Sequence, residues 1–186
     1  MKTQKKILLT LDEFLSSPLS NENYEYLDGE LFPKMSPKRS HSRVTGHLFM
    51  LLEDWNQNKG EIGIEWAIRL KRNGKDWCPI PDLLYVSFEK LGDIVLEDDA
   101  CPIPPELVIE IISPDQAFND LTEKAEAYLK AGVDRVWIID TQIKKITIFY
   151  PHATSQTKQS DDSLRDDLLP NLILTPQQIF QKAGLI

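Results

Sequence analysis

The sequence predicts an α/β fold: a central mixed β-sheet flanked by helices, with a β-hairpin near the N-terminus. Three observations carry this. Stretches that alternate every two residues and stretches with a 3.6-residue period follow one another along the chain. The run Leu107-Val108-Ile109-Glu110-Ile111-Ile112 is almost wholly aliphatic, as a strand buried on both faces must be. A helical stretch, Ala117 to Ala131, separates it from the aliphatic run Val133 to Asp140, which is the spacing of a parallel crossover. At 186 residues the chain reads as one domain over 1–186, large enough for its own core.

The elements follow in order. Leu9 to Leu15 is a short helix with Thr10 as N-cap and Glu13 at the capping-box position. Tyr24 to Leu27 and Glu30 to Phe32 flank Asp28-Gly29, a strong hairpin signal. Ser36 to Ser42 reads as a polar, basic loop. Val44 to Asn56 carries Leu48, Leu51, Leu52 and Trp55, the stripe of an amphipathic helix. Glu61 to Leu70 alternates through Ile62, Ile64, Trp66 and Ile68 and reads as one strand. Trp77 to Val86 reads as a strand interrupted by Pro79 and Pro81. The Ala117–Ala131 helix ends at Gly132 in the C′ position. Lys145 to Tyr150 is a further strand, Pro151 to Asp167 a polar loop, and Pro176 to Ala183 a closing helix.

Composition narrows the class. A hydrophobic content of 41% and a charged content of 27% are those of a globular protein. No apolar run is long enough to cross a bilayer. Met1 to Lys6 is basic, but Asp12 and Glu13 follow too soon for a signal peptide. Cys78 and Cys101 imply no disulfide framework and read as the reduced thiols of a cytoplasmic protein. The net charge of −8 argues against a nucleic-acid partner, but its distribution does not. Lys34, Lys38, Arg39 and Arg43 form one acid-free basic run, and Arg69, Lys71, Arg72 and Lys75 another. Either these make a basic face on an acidic body, or they are two solvated loops.

Glu110 is the sharpest signal. It is the one polar side chain of its strand and shares a face with Val108 and Ile112. A charge there costs several kcal/mol, roughly, unless a partner compensates. Asp82 is the second signal, at the start of the run Asp82 to Val86. The two carboxylates approach if these sequential strands pair; otherwise Asp82 is a strand-end acid accepting backbone N–H groups. Lys124 is the third. With Leu121 at the centre of the buried stripe, Lys124 falls about 60° away, beside it, while Glu123, Glu126 and Lys130 face outward. Its head either reaches Glu110 or snorkels to water. Two carboxylates with a lysine suit Mg²⁺ or Mn²⁺ and phosphodiester hydrolysis. The oxygen donors hold the ion, and the ammonium steadies the developing charge.

Pro81-Asp82 followed by Glu110 in Leu107 to Pro114 resembles the core of the PD-(D/E)xK nucleases. More closely, the chain resembles the Uma2 family of restriction-endonuclease-like proteins. The matching segments are Tyr24 to Glu30, Met35-Ser36-Pro37 with His41, Pro81-Asp82-Leu83, Glu110 to Pro114, Lys124 to Val133 and Val136 to Asp140, with the terminal Leu169-Pro170. The order and spacing of these segments carry the likeness, which covers nearly the whole chain. It implies a restriction-endonuclease-like fold and a Mg²⁺- or Mn²⁺-dependent endonuclease acting on DNA, working as a homodimer. The metal ligands would be Asp82 and Glu110, and the lysine Lys124. The superfamily's usual lysine position, two residues after the glutamate, is Ile112 here.

The resemblance also points to Glu30 and His41. Glu30 is either a further ligand or an exposed strand residue, and His41 either a site residue or a surface one. Lys38, Arg39 and Arg43 would contact phosphates without reading bases. The Tyr24–Phe32 hairpin is a candidate dimer surface. The alternative reading is a nuclease-fold nucleic-acid-binding or assembly protein without cleavage, in keeping with the acidic balance and Ile112. A hydrolase or phosphotransferase for small phosphorylated substrates lacks a glycine-rich phosphate loop.

Overall fold

In the computed structural model the described residues are 5–6, 9–113 and 116–186. Strand β1 (Lys5–Lys6) precedes helix α1 (Leu11–Leu15) and a single 3₁₀ turn (Pro18–Asn21). The hairpin β2 (Tyr24–Leu27) and β3 (Glu30–Pro33) leads into α2 (Arg39–Asn56). Then come β4 (Gly60–Ile64), β5 (Leu70–Arg72), β6 (Lys75–Cys78), β7 (Leu83–Ser87) and the short α3 (Phe88–Leu91). The second half runs β8 (Leu107–Ile111), α4 (Phe118–Lys130), β9 (Arg135–Asp140), β10 (Lys145–Tyr150), β11 (Ala153–Gln159) and α5 (Pro176–Lys182).

The strands form two sheets, where the sequence predicts one. Six strands in the order β11-β10-β9-β8-β7-β4 make the central sheet, mixed because β8 and β9 are parallel. Five strands in the order β1-β3-β2-β6-β5 make the second, antiparallel throughout. The chain passes between them three times, once through α2 and twice within stretches that the sequence reads as single strands. The predicted Glu61–Leu70 strand breaks at Glu65, whose φ of 49° no strand residue adopts. β4 therefore stays in the central sheet and β5 joins the other. The run from Trp77 to Val86 divides likewise, because Pro79 and Pro81 have no N–H to donate to a ladder.

Side-chain alternation along β8 sorts the core. Leu107, Ile109 and Ile111 pack with Val44, Leu48 and Leu52 of α2 and with Ile179 and Phe180 of α5. Val108 faces the other way, with Leu84, Val136 and Ile138, against Leu121, Ala125 and Tyr128 of α4. Phe14 and Leu11 of α1 cover the second sheet through Tyr26 and Leu31.

The α1 capping box, the Asp28-Gly29 turn with φ of 49° and 81°, the α4 crossover and the α5 helix agree with expectation. Two predictions need correction. Helix α2 begins at Arg39, with Lys38 as an N-cap that makes no side-chain cap bond, so half of the expected loop is helix. Ala153–Gln159, expected as a loop, is an edge strand on β10, and its exposed polar side chains carry no alternation. The β2–β3 hairpin lies inside the second sheet, flanked by β6 and β1. Among the described residues no helix is long and apolar enough to cross a membrane.

Candidate active site

The antiparallel register of β7 and β8 sets Leu83 opposite Ile109. One step further along the same register places Asp82 opposite Glu110, a cross-strand pair on the face that α4 covers. Asp82 lies just before β7, and its Oδ2 caps the ladder by accepting the Ile111 N–H at 2.7 Å. Both carboxylates line one cavity of about 110 Å³, together with Glu25, Lys34, His41 and Lys124.

Each acid has its own lysine. Lys124 Nζ lies 2.8 Å from Glu110 Oε1 and 2.6 Å from Glu25 Oε1, and the Tyr128 hydroxyl donates to Glu110 Oε1 at 2.8 Å. Lys124 and Tyr128 are one turn apart on α4, which aims both at one carboxylate. Lys34 Nζ lies 2.9 Å from Asp82 Oδ1, and His41 Nε2 donates to Asp82 Oδ2 at 3.0 Å. The Asp82 and Glu110 side chains are only 3% and 6% exposed. Lys34 also reaches Glu65 Oε1 at 3.1 Å.

The electrostatics follow from burial and pairing. Burial pushes the Asp82 carboxyl up, but the His41 hydrogen bond, the Lys34 charge and the Ile111 N–H outweigh it and hold the pKa at about 2. Burial raises the Glu110 pKa; Lys124 opposes this, while Asp82 and Glu25 reinforce it. For Lys124 burial favours the neutral amine, but Glu110 and Glu25 outweigh it, so the ammonium is held more firmly than usual. One prediction follows from Asp82. A depressed folded pKa gives stability that is complete above the unfolded value and lost as pH falls toward the folded one. Stability is expected to drop by on the order of 2 kcal/mol between about pH 4 and pH 2 through this group. Urea denaturation at stepped pH measures it, and an Asp82→Asn chain with the same acid limb would count against the assignment.

Of the residues singled out from sequence, Asp82, Glu110, Lys124 and His41 meet in the cavity. His41 belongs to the first turn of α2 and is buried, where a loop position was expected. Glu30 does not line the cavity. It sits at the turn end of β3, opposite Leu27, and the hairpin acid that enters is Glu25. Glu25 and Lys34 escaped the sequence reading. Lys34 was visible only as one member of a basic run, and Glu25 as an unremarkable strand residue. Lys38, Arg39 and Arg43 are exposed at the start of α2, and Arg43 Nε donates to the Ala183 carbonyl at 2.7 Å. The second basic run is locally matched: Arg69 with Asp12 and Asp99, Lys71 with Asp76, Lys75 with Asp28.

Two hard carboxylates side by side are donors suited to a divalent cation, and the Lys34 ammonium already stands on one of them as a cation would. Among the described residues no group of three or more His, Cys, Asp or Glu side chains is arranged to hold a metal. The donor chemistry fits; the acids are at present matched by lysines.

The architecture is that of the restriction-endonuclease-like fold, a mixed sheet with flanking helices and a cavity at the strand ends. The chain belongs to the Uma2 family, whose profile, described as "Putative restriction endonuclease", matches residues 11–177. Among solved structures it is similar to "a putative nuclease belonging to DUF820 from Anabaena variabilis ATCC 29413". The TM-score is 0.79 and the identity 22%, over 94% of this chain and 99% of that one. A comparison with curated proteins finds no match.

Proposed function

We propose that the chain is a Mg²⁺- or Mn²⁺-dependent endonuclease that hydrolyses phosphodiester bonds of DNA. The observation that carries this is the opposed pair Asp82 and Glu110 in one cavity, with Lys124 fixed 2.8 Å from Glu110. Family membership and the likeness to a nuclease support the same class. Asp82 and Glu110 would hold the ion, which when bound supplies Lewis acidity and charge against the phosphodiester. Lys124, held charged by its two acids, presents a fixed ammonium to negative charge developing on the phosphate oxygens. Tyr128 keeps Glu110 in its rotamer. Lys38 and Arg39 lie exposed at the α2 end that carries His41, where they would take flanking phosphates. Cleavage of both strands of a duplex calls for two sites, and the assembly proposed for that is a homodimer.

Supercoiled plasmid is the test. Nicking is expected with Mg²⁺ or Mn²⁺ and none with EDTA. Absence of cleavage by the folded, metal-supplied protein would sink the proposal. A second reading is favoured by the lysine pairing of both acids: a nuclease-fold protein that binds nucleic acid without turnover. Salt-dependent DNA binding with intact product bands would select it.

A further inference from the structure

A divalent cation at Asp82 and Glu110 would enter a site whose acids already have ammonium partners, and like charges a few ångströms apart repel. One lysine must yield. Lys124 has nowhere to go: it is clamped between Glu25 and Glu110 at 2.6 and 2.8 Å. Lys34 has a second acceptor within reach. Its ammonium lies 2.9 Å from Asp82 and 3.1 Å from Glu65. The Glu65 side chain is 40% exposed, so it can take the charge at little desolvation cost. Its backbone is tied to Asp82, with the Glu65 N–H donating to the Asp82 carbonyl at 3.2 Å. It holds a left-handed φ of 49°, uncommon for glutamate, where the chain leaves β4.

We propose that Lys34 is an exchangeable internal counter-ion: it rests on Asp82 when no divalent cation is bound and passes to Glu65 when one arrives. This rests on the reading that Asp82 and Glu110 hold the cation. The apparent affinity of the site is then reduced by the fraction of molecules in which Lys34 occupies Asp82. Glu65, outside the cation's own ligands, sets that fraction.

Mn²⁺ binding to the full chain, without nucleic acid, is read from the electron paramagnetic resonance signal of free Mn²⁺. Lys34→Met is expected to bind Mn²⁺ about tenfold more tightly than the natural chain, and Glu65→Gln about tenfold more weakly. A merely structural role for Lys34 would not give opposite signs. Mn²⁺ is also expected to raise the melting temperature of Lys34→Met by more than that of the natural chain. Should Lys34→Met fail to fold, the exposed Glu65→Gln carries the test by itself. If the natural chain binds Mn²⁺ and the variants bind it equally well, the exchange is overturned and the metal site stands. If the natural chain binds no Mn²⁺, or Asp82→Asn binds it as well, both fail together.

Discussion

Glu110→Gln is expected to lower cleavage at least about 100-fold while leaving the fold in place. The substitution removes the charge and keeps the shape. The amide oxygen can still accept the Tyr128 hydroxyl, now 2.8 Å from Oε1, and Lys124 keeps Glu25 at 2.6 Å. What is lost is an anionic donor beside Asp82, and with it the charge that makes a hard divalent cation welcome. The loss should appear both in Mn²⁺ affinity and in the rate at saturating metal. Melting curves provide the control for folding. A Glu110→Gln chain that nicks plasmid at the natural rate would remove Glu110 from the chemistry and leave it a structural acid.

Lys124→Met is expected to destabilise the protein by about 3–5 kcal/mol at neutral pH, because it strands the buried Glu110 and removes the partner of the half-buried Glu25 at once. Urea denaturation gives the number. The pH dependence identifies the cause. Without Lys124 the Glu110 carboxyl is raised further by burial and by its acidic neighbours, so protonation relieves the strain. The deficit against the natural chain should shrink as pH falls from neutral into the mildly acidic range. Adding Glu110→Gln to Lys124→Met should recover part of the stability, since a pair removed together leaves less unmatched charge than a pair broken. A deficit independent of pH and of Glu110 would mean that Lys124 acts through its packed stem alone.

Glu110 and Lys124 were legible because each violates a local pattern: a lone charge in an aliphatic strand, a lysine beside a buried helical stripe. Asp82 was legible once its strand was paired with the next. Glu25 and Lys34 break no local rule, and only the docking of the second sheet brings them to the acids. That second sheet was itself hidden. The alternation of Ile62, Ile64, Trp66 and Ile68 runs on through the Glu65 bend, so periodicity reads as one strand what geometry makes two. The short β5–β6 hairpin around Asn73-Gly74 was lost for the same reason. His41 was misplaced because Lys38 gives α2 no recognisable cap. β11 went unseen because it buries almost nothing.

The two sheets also set when the site can exist. Glu25 and Lys34 come with the five-stranded sheet, Asp82 and Glu110 with the central one, and the Lys124–Glu25 contact joins residues 99 positions apart. Closing a loop that long forfeits chain entropy before any contact compensates, so such contacts belong to the late stages of folding. Until the two sheets dock, Asp82 and Glu110 stand on one of them and Glu25, the anchor of Lys124, on the other. The site is thereby a property of the completed molecule, and any opening of the seam between the sheets dismantles it together with the Trp77–Tyr128 packing beside it.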